Sequence, residues 1–341
     1  MKFLVTGGAG FIGTNFTRFL ARQGVGITVL DKLTYAGRRE NLKDLEEAGL
    51  IEFVQGDICD PAAVAKAMSG ADVVVNFAAE THVDRSIEDP SDFVRTDVEG
   101  VRVLLEEFRS WKKRKLFLQV STDEVYGSVE TGSSREADPL CPRSPYSASK
   151  AGGELLAMSY FHTWSVPVIV TRASNNYGPW QYPEKLIPLF VTNAMDGQEL
   201  PIYGDGLNRR DWLYVEDHCR ALQSVVERGQ PGRVYNIGSG EEQTNMEITT
   251  SILDLVGADR SLIRHISDRP GHDRRYALDT SRIKGELGWE PETDLRRGLA
   301  STVEWYKANR QWWEEIKSGK FREYYRQMYA GRLADSKEAG R

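Results

Sequence analysis

The stretch "VTGGAGFIG", residues 5–13, decides the fold, because it separates a short apolar run from a longer amphipathic one. It places Gly7, Gly10 and Gly13 at GxxGxxG spacing. Glycines at this spacing allow a tight turn and a close approach of the backbone, so that a pyrophosphate can bind the amides of a helix N-terminus. Ordinary loops also contain glycine trios, so the flanking segments must decide between the two interpretations.

Short runs rich in β-branched residues alternate with helical patterns on both sides of this stretch. Predicted strands occupy residues 2–7, 26–31, 51–57, 71–79, 115–122 and 166–174. Helical periodicity occurs at residues 12–22, 91–110, 146–163, 215–228, 246–256 and 295–309. Continuous apolar strands between helices are typical of a parallel sheet covered on both faces. The sequence therefore predicts an α/β fold with a doubly wound sheet, followed after residue 176 by a smaller, looser unit.

Composition excludes several classes of protein. The chain has 341 residues, of which 40% are hydrophobic, and its net charge of −6 with no basic block argues against a nucleic-acid partner. The N-terminus reaches glycine too soon for a signal segment, and no run of about eighteen apolar residues follows, so we expect a cytoplasmic protein. Cys59, Cys141 and Cys219 lack CxxC spacing, which predicts a reduced compartment and three small packing residues.

Two strand ends that carry an acid predict a dinucleotide site. Asp31 ends the second strand 18 positions after Gly13, where a carboxylate can bind ribose hydroxyls and repel a 2′-phosphate. This favours NAD over NADP, although the neighbouring Lys32 weakens the inference. Asp57 and Ile58 could frame an adenine, and the alternative for Asp57 is a turn or helix-cap acid.

The segment "YSASK" places Tyr146 and Lys150 on one face of a predicted helix. A phenol titrates near ~10 in water, so we expect the Lys150 ammonium to lower the pKa of Tyr146 and make it a usable base. An ordinary amphipathic helix is the alternative, since YxxxK arises often by chance.

Taken in order, the motifs are more specific than any one of them. The sequence resembles the extended short-chain dehydrogenase/reductase family and, within it, the dTDP-glucose 4,6-dehydratases. The segments that carry the resemblance are "DKLTYAG", "AAETHVDRSI", "STDEVYG", "YSASK", "NNYGPWQYPEKLIP", "RDWLYVEDH" and "RPGHDRRYALD". The resemblance implies a Rossmann domain for NAD over residues 1–175, with about 213–240 returning to it. It implies a nucleotide-sugar domain over 176–212 and 241–330, and 331–341 are expected to form a frayed tail.

The resemblance also implies which residues contact the cofactor. They are Gly7, Gly10, Phe11, Ile12, Gly13, Asp31, Lys32, Thr34, Asp57, Ile58, Ala78, Ala79, Thr96, Tyr146, Lys150 and Asn176.

The pair Asp123 and Glu124 in "STDEVYG" distinguishes the implied chemistry. In a 4,6-dehydratase, Tyr146 would take the proton of the sugar 4-hydroxyl with a hydrogen bond from Thr122. Glu124 would remove the C5 proton, and a neutral Asp123 would protonate the departing 6-hydroxyl, which requires two separated carboxyl pKa values. Taken alone, an Asp–Glu pair is usually a solvated loop.

The implied substrate is dTDP-glucose, whose phosphates need cationic partners. The implied contacts are Glu80, Ser86, Thr122, Asn175, Lys185, Leu186, Pro201, Tyr203, Arg210, Asn245, Arg269 and His272. Arg209 and Arg210 could both be surface charges, and we assign Arg210 because it directly precedes "DWLYVED". Trp180 and Tyr182 depart from the family pattern near the nucleotide, so the preference for dTDP over UDP, CDP or GDP is the least supported expectation.

Other assignments stay open at this point. A 4-epimerase or a uronate decarboxylase could use the same scaffold, and a NAD-sensing binding protein is the alternative outside enzymes. His82 has no second His or Cys at ligand spacing, so we expect a packed histidine and no metal site. Aromatic residues between 305 and 329 repeat at helical intervals and are expected in the core. The family implies a homodimer through helices around 94–108 and 147–158.

Overall fold

A parallel sheet lies at the centre of the first half of the protein and is joined by one later strand. The computed structural model describes residues 1–112 and 114–319 and, beyond them, residues 323, 325 and 329. The sheet has seven strands in the order β10-β6-β5-β4-β1-β2-β3, and all of its neighbours are parallel. Its strands are β1 (Lys2–Thr6), β2 (Gly26–Asp31), β3 (Glu52–Gln55), β4 (Val73–Asn76), β5 (Leu116–Thr122), β6 (Val168–Ala173) and β10 (Val234–Ile237).

The strand order explains where a ligand can bind. The chain runs outward from β1 in both directions, so the order reverses between β1 and β4. Loops diverge at such a point and leave a crevice at the carboxyl ends of the strands. The predicted fold class and the six predicted strands are confirmed, and β10 is the strand that the predicted set lacks.

Helices cover both faces of this sheet and continue into the second half. They are α1 (Phe11–Ala21), α2 (Lys43–Glu47), α3 (Pro61–Met68), α4 (Val83–Glu88), α5 (Ser91–Val94), α6 (Val101–Ser110), α7 (Pro145–Trp164), α8 (Leu186–Met195), α9 (Val215–Arg228), α10 (Asn245–Val256), α11 (Ser281–Leu287), α12 (Leu295–Ala308) and α13 (Arg310–Ser318). Short 3-10 helices span Arg39–Leu42, Asp123–Tyr126 and Arg260–Leu262, and a π-helical segment at Arg95–Gly100 connects α5 to α6. The predicted helix over residues 91–110 is therefore one helical run with a widened turn.

Smaller sheets lie in the second half. Strands β7 (Asn175–Tyr177), β9 (Arg209–Tyr214) and β11 (Glu242–Thr244) form one sheet, and β8 (Leu200–Tyr203) pairs with β12 (Ile263–Ile266). A separate apolar core packs between these strands and helices α8, α10, α12 and α13. Tyr306 and Trp313 are fully buried in that core, which confirms the expectation for the aromatic repeat. The domain boundaries themselves stay a prediction, and the tail from 331 to 341 lies outside the described residues.

Two further expectations concern single residues and membranes. Cys219 is buried and Cys59 is half-buried, but Cys141 is exposed, so the prediction of three packing cysteines is wrong for Cys141. Its carbonyl side faces the protein, where Gly127 approaches it, while the thiol lies at the surface. Within the described part of the chain, no helix combines the length and the apolar character needed to cross a membrane.

Candidate active site

The glycine-rich turn joins β1 to α1 at the crevice. Gly7 has a φ of +65°, and its amide donates to the Leu30 carbonyl at 2.8 Å. A Cβ on Gly7 would lie 2.6 Å from the backbone nitrogen of Ala78, and one on Gly13 would lie 2.2 Å from the Gly7 carbonyl oxygen. Both positions therefore require glycine, and the turn leaves the first amides of α1 facing the crevice for an anion.

The carboxylate that ends β2 is held by the same turn. Asp31 accepts hydrogen bonds from the Ala9 amide at 2.9 Å and from the Leu33 amide at 2.8 Å. Burial raises the pKa of Asp31, and the two amides oppose that shift. The Lys32 ammonium lies 3.1 Å from the Asp57 carboxylate, which offsets a charge that could attract a 2′-phosphate. Asp57 also accepts from the Cys59 amide, so it both makes a turn and faces the crevice.

One cavity collects all predicted cofactor contacts. It extends from the glycine turn past the ends of β2, β3 and β4 to the start of α7. All five predicted catalytic residues line it as well, together with the substrate candidates Glu80, Asn175 and Lys185. Buried polar atoms that face this region without a hydrogen-bond partner in the described residues include Ser121 Oγ, Ser174 Oγ and Asn176 Oδ1.

Helix α7 brings Tyr146 and Lys150 into the cavity from its first two turns. Pro145 opens the helix, and Ser144 and Ser147 form a reciprocal capping box with amide to hydroxyl distances of 3.1 Å. The Tyr146 amide donates to Ser86 Oγ at 3.2 Å. Lys150 donates to the Val120 carbonyl at 2.8 Å, which ties the helix to β5.

The electrostatic environment of Tyr146 differs from the predicted one. Burial raises its pKa well above the usual range, and the carboxylates of Glu124 and Asp97 add to that shift. Lys150 is not among the groups with the largest effect on this pKa, so the expectation that its ammonium lowers the phenol pKa stays a prediction. Lys150 is itself buried, which lowers its pKa, and the carboxylates of Asp97 and Glu154 oppose that shift.

Asp97 is a buried acid that sequence reasoning missed. It lies in the π-helical segment, where its carboxylate accepts from the Ser149 hydroxyl at 2.7 Å and from the Glu80 amide at 3.1 Å. Burial raises its pKa to about 6, and Lys150 opposes the shift. The widened helical turn places the Asp97 carboxylate beside α7. No local pattern in the sequence predicts a π-helical segment.

Asp123 and Glu124 follow β5 in a 3-10 turn, and their surroundings differ. Burial raises the pKa of Asp123 well above its usual range, and the adjacent Glu124 carboxylate raises it further. Asp123 accepts from the Thr122 hydroxyl at 3.1 Å, and its second oxygen is buried without a partner among the described residues. Burial also raises the pKa of Glu124, but Arg269, Arg210 and Lys185 oppose that shift. The surroundings therefore favour the neutral form of Asp123, whereas at Glu124 three cations oppose the effect of burial, and a division into acid and base needs such a difference.

The cations that act on Glu124 come from three separate segments. Lys185 donates to the Thr81 carbonyl at 2.6 Å, ahead of α8. Arg210 is buried in β9 with its guanidinium 4.3 Å from the centre of the Tyr276 ring, whereas its neighbour Arg209 is exposed. Arg269 lies 3.2 Å from the Asp84 carboxylate. The choice of Arg210 over Arg209 therefore agrees with burial.

Several predicted substrate contacts do not line the main cavity. These are Ser86, Leu186, Pro201, Tyr203, Arg210, Asn245, Arg269 and His272. Ser86 is fully buried, and its hydroxyl accepts from the Tyr146 amide at the start of α7, so its contact with a substrate stays a prediction. Tyr203 and Arg269 both contact the Asp84 carboxylate, which accepts a hydrogen bond from the Tyr203 hydroxyl at 3.2 Å.

Arg210, Asn245 and His272 form a second group around Asp273 and Asn208, whereas Leu186 begins α8 and Pro201 lies in β8. The Asp273 backbone carbonyl accepts from Arg210 at 2.9 Å and from the Asn208 side chain at 3.1 Å. Asn245 is buried beside Asn208, and its side-chain oxygen has no partner among the described residues. His272 contacts Asp268 at 2.6 Å, and burial lowers its pKa to about 4. Sequence reasoning missed Asp84 and Asp273, although both lie inside the segments that carry the family resemblance.

Comparison with known proteins places this geometry in a family. The sequence model of GDP-mannose 4,6 dehydratase matches residues 4–302. The chain belongs to this family. It is 52% identical over 324 residues to the dTDP-glucose 4,6-dehydratase of Streptomyces niveus, covering 93% of this chain and 96% of that enzyme. The resemblance that the sequence motifs indicated is therefore confirmed.

Solved structures of family members have the same fold. The structure of DesIV, the dTDP-glucose 4,6-dehydratase of Streptomyces venezuelae with NAD and TYD bound, superposes with a TM-score of 0.91 at 50% identity, covering 93% of this chain and 100% of that one. UDP-glucose 4-epimerase of Thermus thermophilus in complex with NAD superposes with a TM-score of 0.84 at 30% identity, covering 91% and 100%. The fold is thus common to dehydratase and epimerase, and the side chains of the site must separate them.

Proposed function

We propose that this protein is a hydro-lyase that catalyses the NAD-dependent dehydration of dTDP-glucose to dTDP-4-keto-6-deoxyglucose. One observation carries the proposal: two adjacent carboxyl groups at the end of β5 have different electrostatic surroundings and line the same cavity as Tyr146 and Lys150. Elimination of water needs one general acid and one general base, which is the division that these surroundings support. Relatives at about this level of identity carry the name of the same enzyme.

The cavity fits a dinucleotide by its own features. Gly7 and Gly13 allow a turn so tight that a Cβ at either position would meet backbone atoms, and this turn presents the start of α1 to the cavity. Asp31 keeps acceptor capacity toward a ribose, and Asp57 neutralises Lys32. When bound, NAD supplies a hydride acceptor at C4 and a hydride donor at C6, so that it is recycled within one turnover.

The chain's residues supply the proton transfers. Tyr146 takes the proton of the sugar 4-hydroxyl, and the Thr122 hydroxyl, whose hydrogen bond opposes the rise in the phenol pKa, supports that transfer. The resulting 4-ketone acidifies C5–H, and Glu124 removes that proton. Asp123, whose pKa is raised by burial, donates its proton to the departing 6-hydroxyl, so one water leaves.

Cations around Glu124 suit a nucleotide diphosphate sugar. Lys185, Arg210 and Arg269 all act electrostatically on Glu124, so they are grouped at the substrate end of the cavity. The two phosphates of a nucleotide sugar carry negative charge to which these three cations can donate hydrogen bonds. We assign the remaining predicted substrate contacts to the same end.

We also propose that the protein is a cytoplasmic homodimer. Val94 and Leu155 expose 55% and 59% of their surface on the two helices that were predicted to pair. Apolar side chains on facing surfaces of this kind are buried when a second copy adds its own pair of helices. The division into an NAD-binding and a nucleotide-sugar domain belongs to this proposal as well.

Product analysis tests the proposed function. The protein is incubated separately with the dTDP, UDP, CDP and GDP derivatives of glucose, and products are identified by mass and by the carbonyl signal of a 4-keto-6-deoxy sugar. We expect loss of water from dTDP-glucose with the highest kcat/KM. A product that retains its 6-oxygen would indicate an epimerase instead, and no turnover of any nucleotide glucose would contradict an enzymatic role.

A further inference from the structure

The two catalytic elements come from separate segments of the chain. The 3-10 turn Asp123–Tyr126 carries the elimination pair, and α7 carries Tyr146 and Lys150. Residues 127–144, which connect these two elements, contain no helix and no strand. Contacts that hold the 3-10 turn in place relative to α7 matter for catalysis, because a displacement of about 1 Å in such a site costs on the order of 10²-fold in rate.

Tyr126 ends the 3-10 turn and points into a buried polar group. Its hydroxyl accepts from Arg172 Nη1 at 2.6 Å and donates to Asn236 Oδ1 at 2.8 Å. Burial raises the pKa of the phenol, so it stays a donor to Asn236. Arg172 lies in β6 and Asn236 in the neighbouring β10, so the turn is tied to two strands of the sheet.

Arg172 makes the second half of the connection. Glu154 lies one helical turn after Lys150 and two turns after Tyr146, on the same side of α7. It accepts from Arg172 Nη2 at 2.6 Å and from Arg172 Nε at 3.1 Å. Tyr126, Arg172 and Glu154 thus form one connected group, which we call the buried clamp. One planar guanidinium contacts both catalytic elements.

The buried clamp is too deeply placed to bind substrate. The side chains of Arg172 and Glu154 are only 6% and 2% exposed, and neither lines the main cavity. A buried ion pair contributes little net stability, because desolvation offsets the attraction, but it fixes geometry when its hydrogen bonds are satisfied. Arg172 also lies 4.7 Å from the centre of the Tyr126 ring, which restricts the ring further.

We propose that Tyr126, Arg172 and Glu154 are positioning residues that hold Asp123 and Glu124 in register with Tyr146 for the elimination step. The inference rests on the proposed function and deepens it. Tyr126 belongs to the turn of the elimination pair, so loosening it displaces Asp123 and Glu124 relative to a bound sugar. Tyr146 and Lys150 keep their own anchors on Ser86 and the Val120 carbonyl, so C4 oxidation is spared.

Single-turnover absorbance of NADH with dTDP-glucose tests this proposal. Tyr126→Phe removes one oxygen and keeps the ring. We expect NADH to form within about twofold of the wild-type rate and to decay about tenfold more slowly, since each factor of ten corresponds to ~1.4 kcal/mol of lost transition-state stabilisation. Arg172→Lys keeps the charge but not the fork that reaches both partners, and it is expected to change the same step.

Tyr160→Phe is the matched control on the same helix. The Tyr160 hydroxyl donates to Glu106 at 2.5 Å, away from the catalytic turn, so both rates should stay at the wild-type level. The proposal is overturned if Tyr126→Phe and Arg172→Lys decay at the wild-type rate, or if they slow both steps in equal proportion, as a loss of folded enzyme would. A wild-type protein that forms neither NADH nor a keto sugar with any nucleotide glucose would instead contradict the proposed function, and this inference with it.

Discussion

The two ends of the cavity are built by different means. At the cofactor end, the site is formed mostly by backbone atoms. It consists of a glycine turn, the amides of α1 and a carboxylate held by two amides. At the substrate end, long charged side chains from β9, from the segment before α8 and from the loop after β12 converge on one carboxylate. The cofactor end is therefore specified by short-range sequence signals, whereas the substrate end depends on residues far apart in the chain.

This difference determines how binding at each end should respond to substitutions. Backbone sites tolerate no added atoms, so a single methyl group can abolish binding. Sites made of side-chain charges lose affinity in steps, because each cation contributes a limited amount of free energy. Substitutions that affect one end and leave the other intact can break or sharpen the contrast.

The largest effect is expected at the glycine turn. A Cβ at Gly13 would meet the backbone of Gly7 and Gly8 at 2.2 and 2.7 Å, so Gly13→Ala must displace the turn. We expect purified Gly13→Ala to lose nearly all bound NAD, measured by release of the dinucleotide on denaturation. Gly285→Ala is the control, because Gly285, like Gly13, lies in a helix without a positive φ, and no atom lies within 4 Å of its Cβ position. Retention of NAD by Gly13→Ala would show that the backbone contact does not control binding.

Arg210→Gln should weaken binding at the substrate end and leave binding at the cofactor end unchanged. Losing a charged hydrogen-bonding partner costs ~1.5–3 kcal/mol, so we expect the affinity for dTDP to fall about 10- to 150-fold by titration calorimetry. NAD content should not change. Arg209→Gln is the neighbouring control, since the exposed Arg209 pairs with Glu242 and should change the affinity by less than about fivefold. Equal effects of the two substitutions would remove the distinction between them.

Lys32→Ala examines whether side-chain charge matters at the cofactor end. Lys32 is 43% exposed and paired with Asp57, so its charge is already balanced. We expect the ratio of NAD to NADP affinity to change by less than about fivefold, as for an exposed ion pair. A change of a hundredfold would mean that Lys32, and not the backbone-held Asp31, decides between the two dinucleotides.

The smallest effect concerns Glu80, where the two ends meet. Burial raises its pKa from 4.5 to about 7, so the folded protein holds this proton more tightly than the unfolded chain. Folding therefore loses stability as the pH rises from 4.5 to about 7, and Glu80→Gln should not show that loss. The melting temperature of Glu80→Gln relative to wild type should rise over this pH range.

Glu99→Gln is the control of opposite sign for this pH dependence. Arg102 lowers the pKa of Glu99, so that carboxylate adds stability as it ionises. The melting temperature of Glu99→Gln relative to wild type should therefore fall slightly as the pH rises. A parallel response of the two variants would contradict the assigned environments.

The same contrast explains what the sequence could predict. The positions of Gly7, Gly13 and Asp31 can be predicted from their spacing, because a turn, a strand end and a helix start are local features. The strands of the main sheet follow from continuous apolar runs for the same reason. Asp123 and Glu124 became interpretable only through their order relative to Tyr146.

Other features could not be predicted from spacing. The roles of Asp84 and Asp97 depend on partners that lie 185 and 52 positions away, Arg269 and Ser149. The pKa of Tyr146 depends on its own burial and on two nearby carboxylates, neither of which its spacing to Lys150 indicates. Desolvation is a property of the packed structure, and a helical spacing of four residues carries no information about it.

Single-turnover absorbance of Asp123→Asn and Glu124→Gln tests the central claim most directly, namely that these two residues are the acid and the base of one elimination. Loss of a positioned general acid or base costs about 10²- to 10⁴-fold in the step that it serves. We predict that both variants oxidise the sugar and then accumulate NADH, because water is not eliminated and the hydride has no acceptor at C6. If both variants eliminate water at the wild-type rate, Asp123 and Glu124 are ordinary loop charges and the proposed mechanism is wrong.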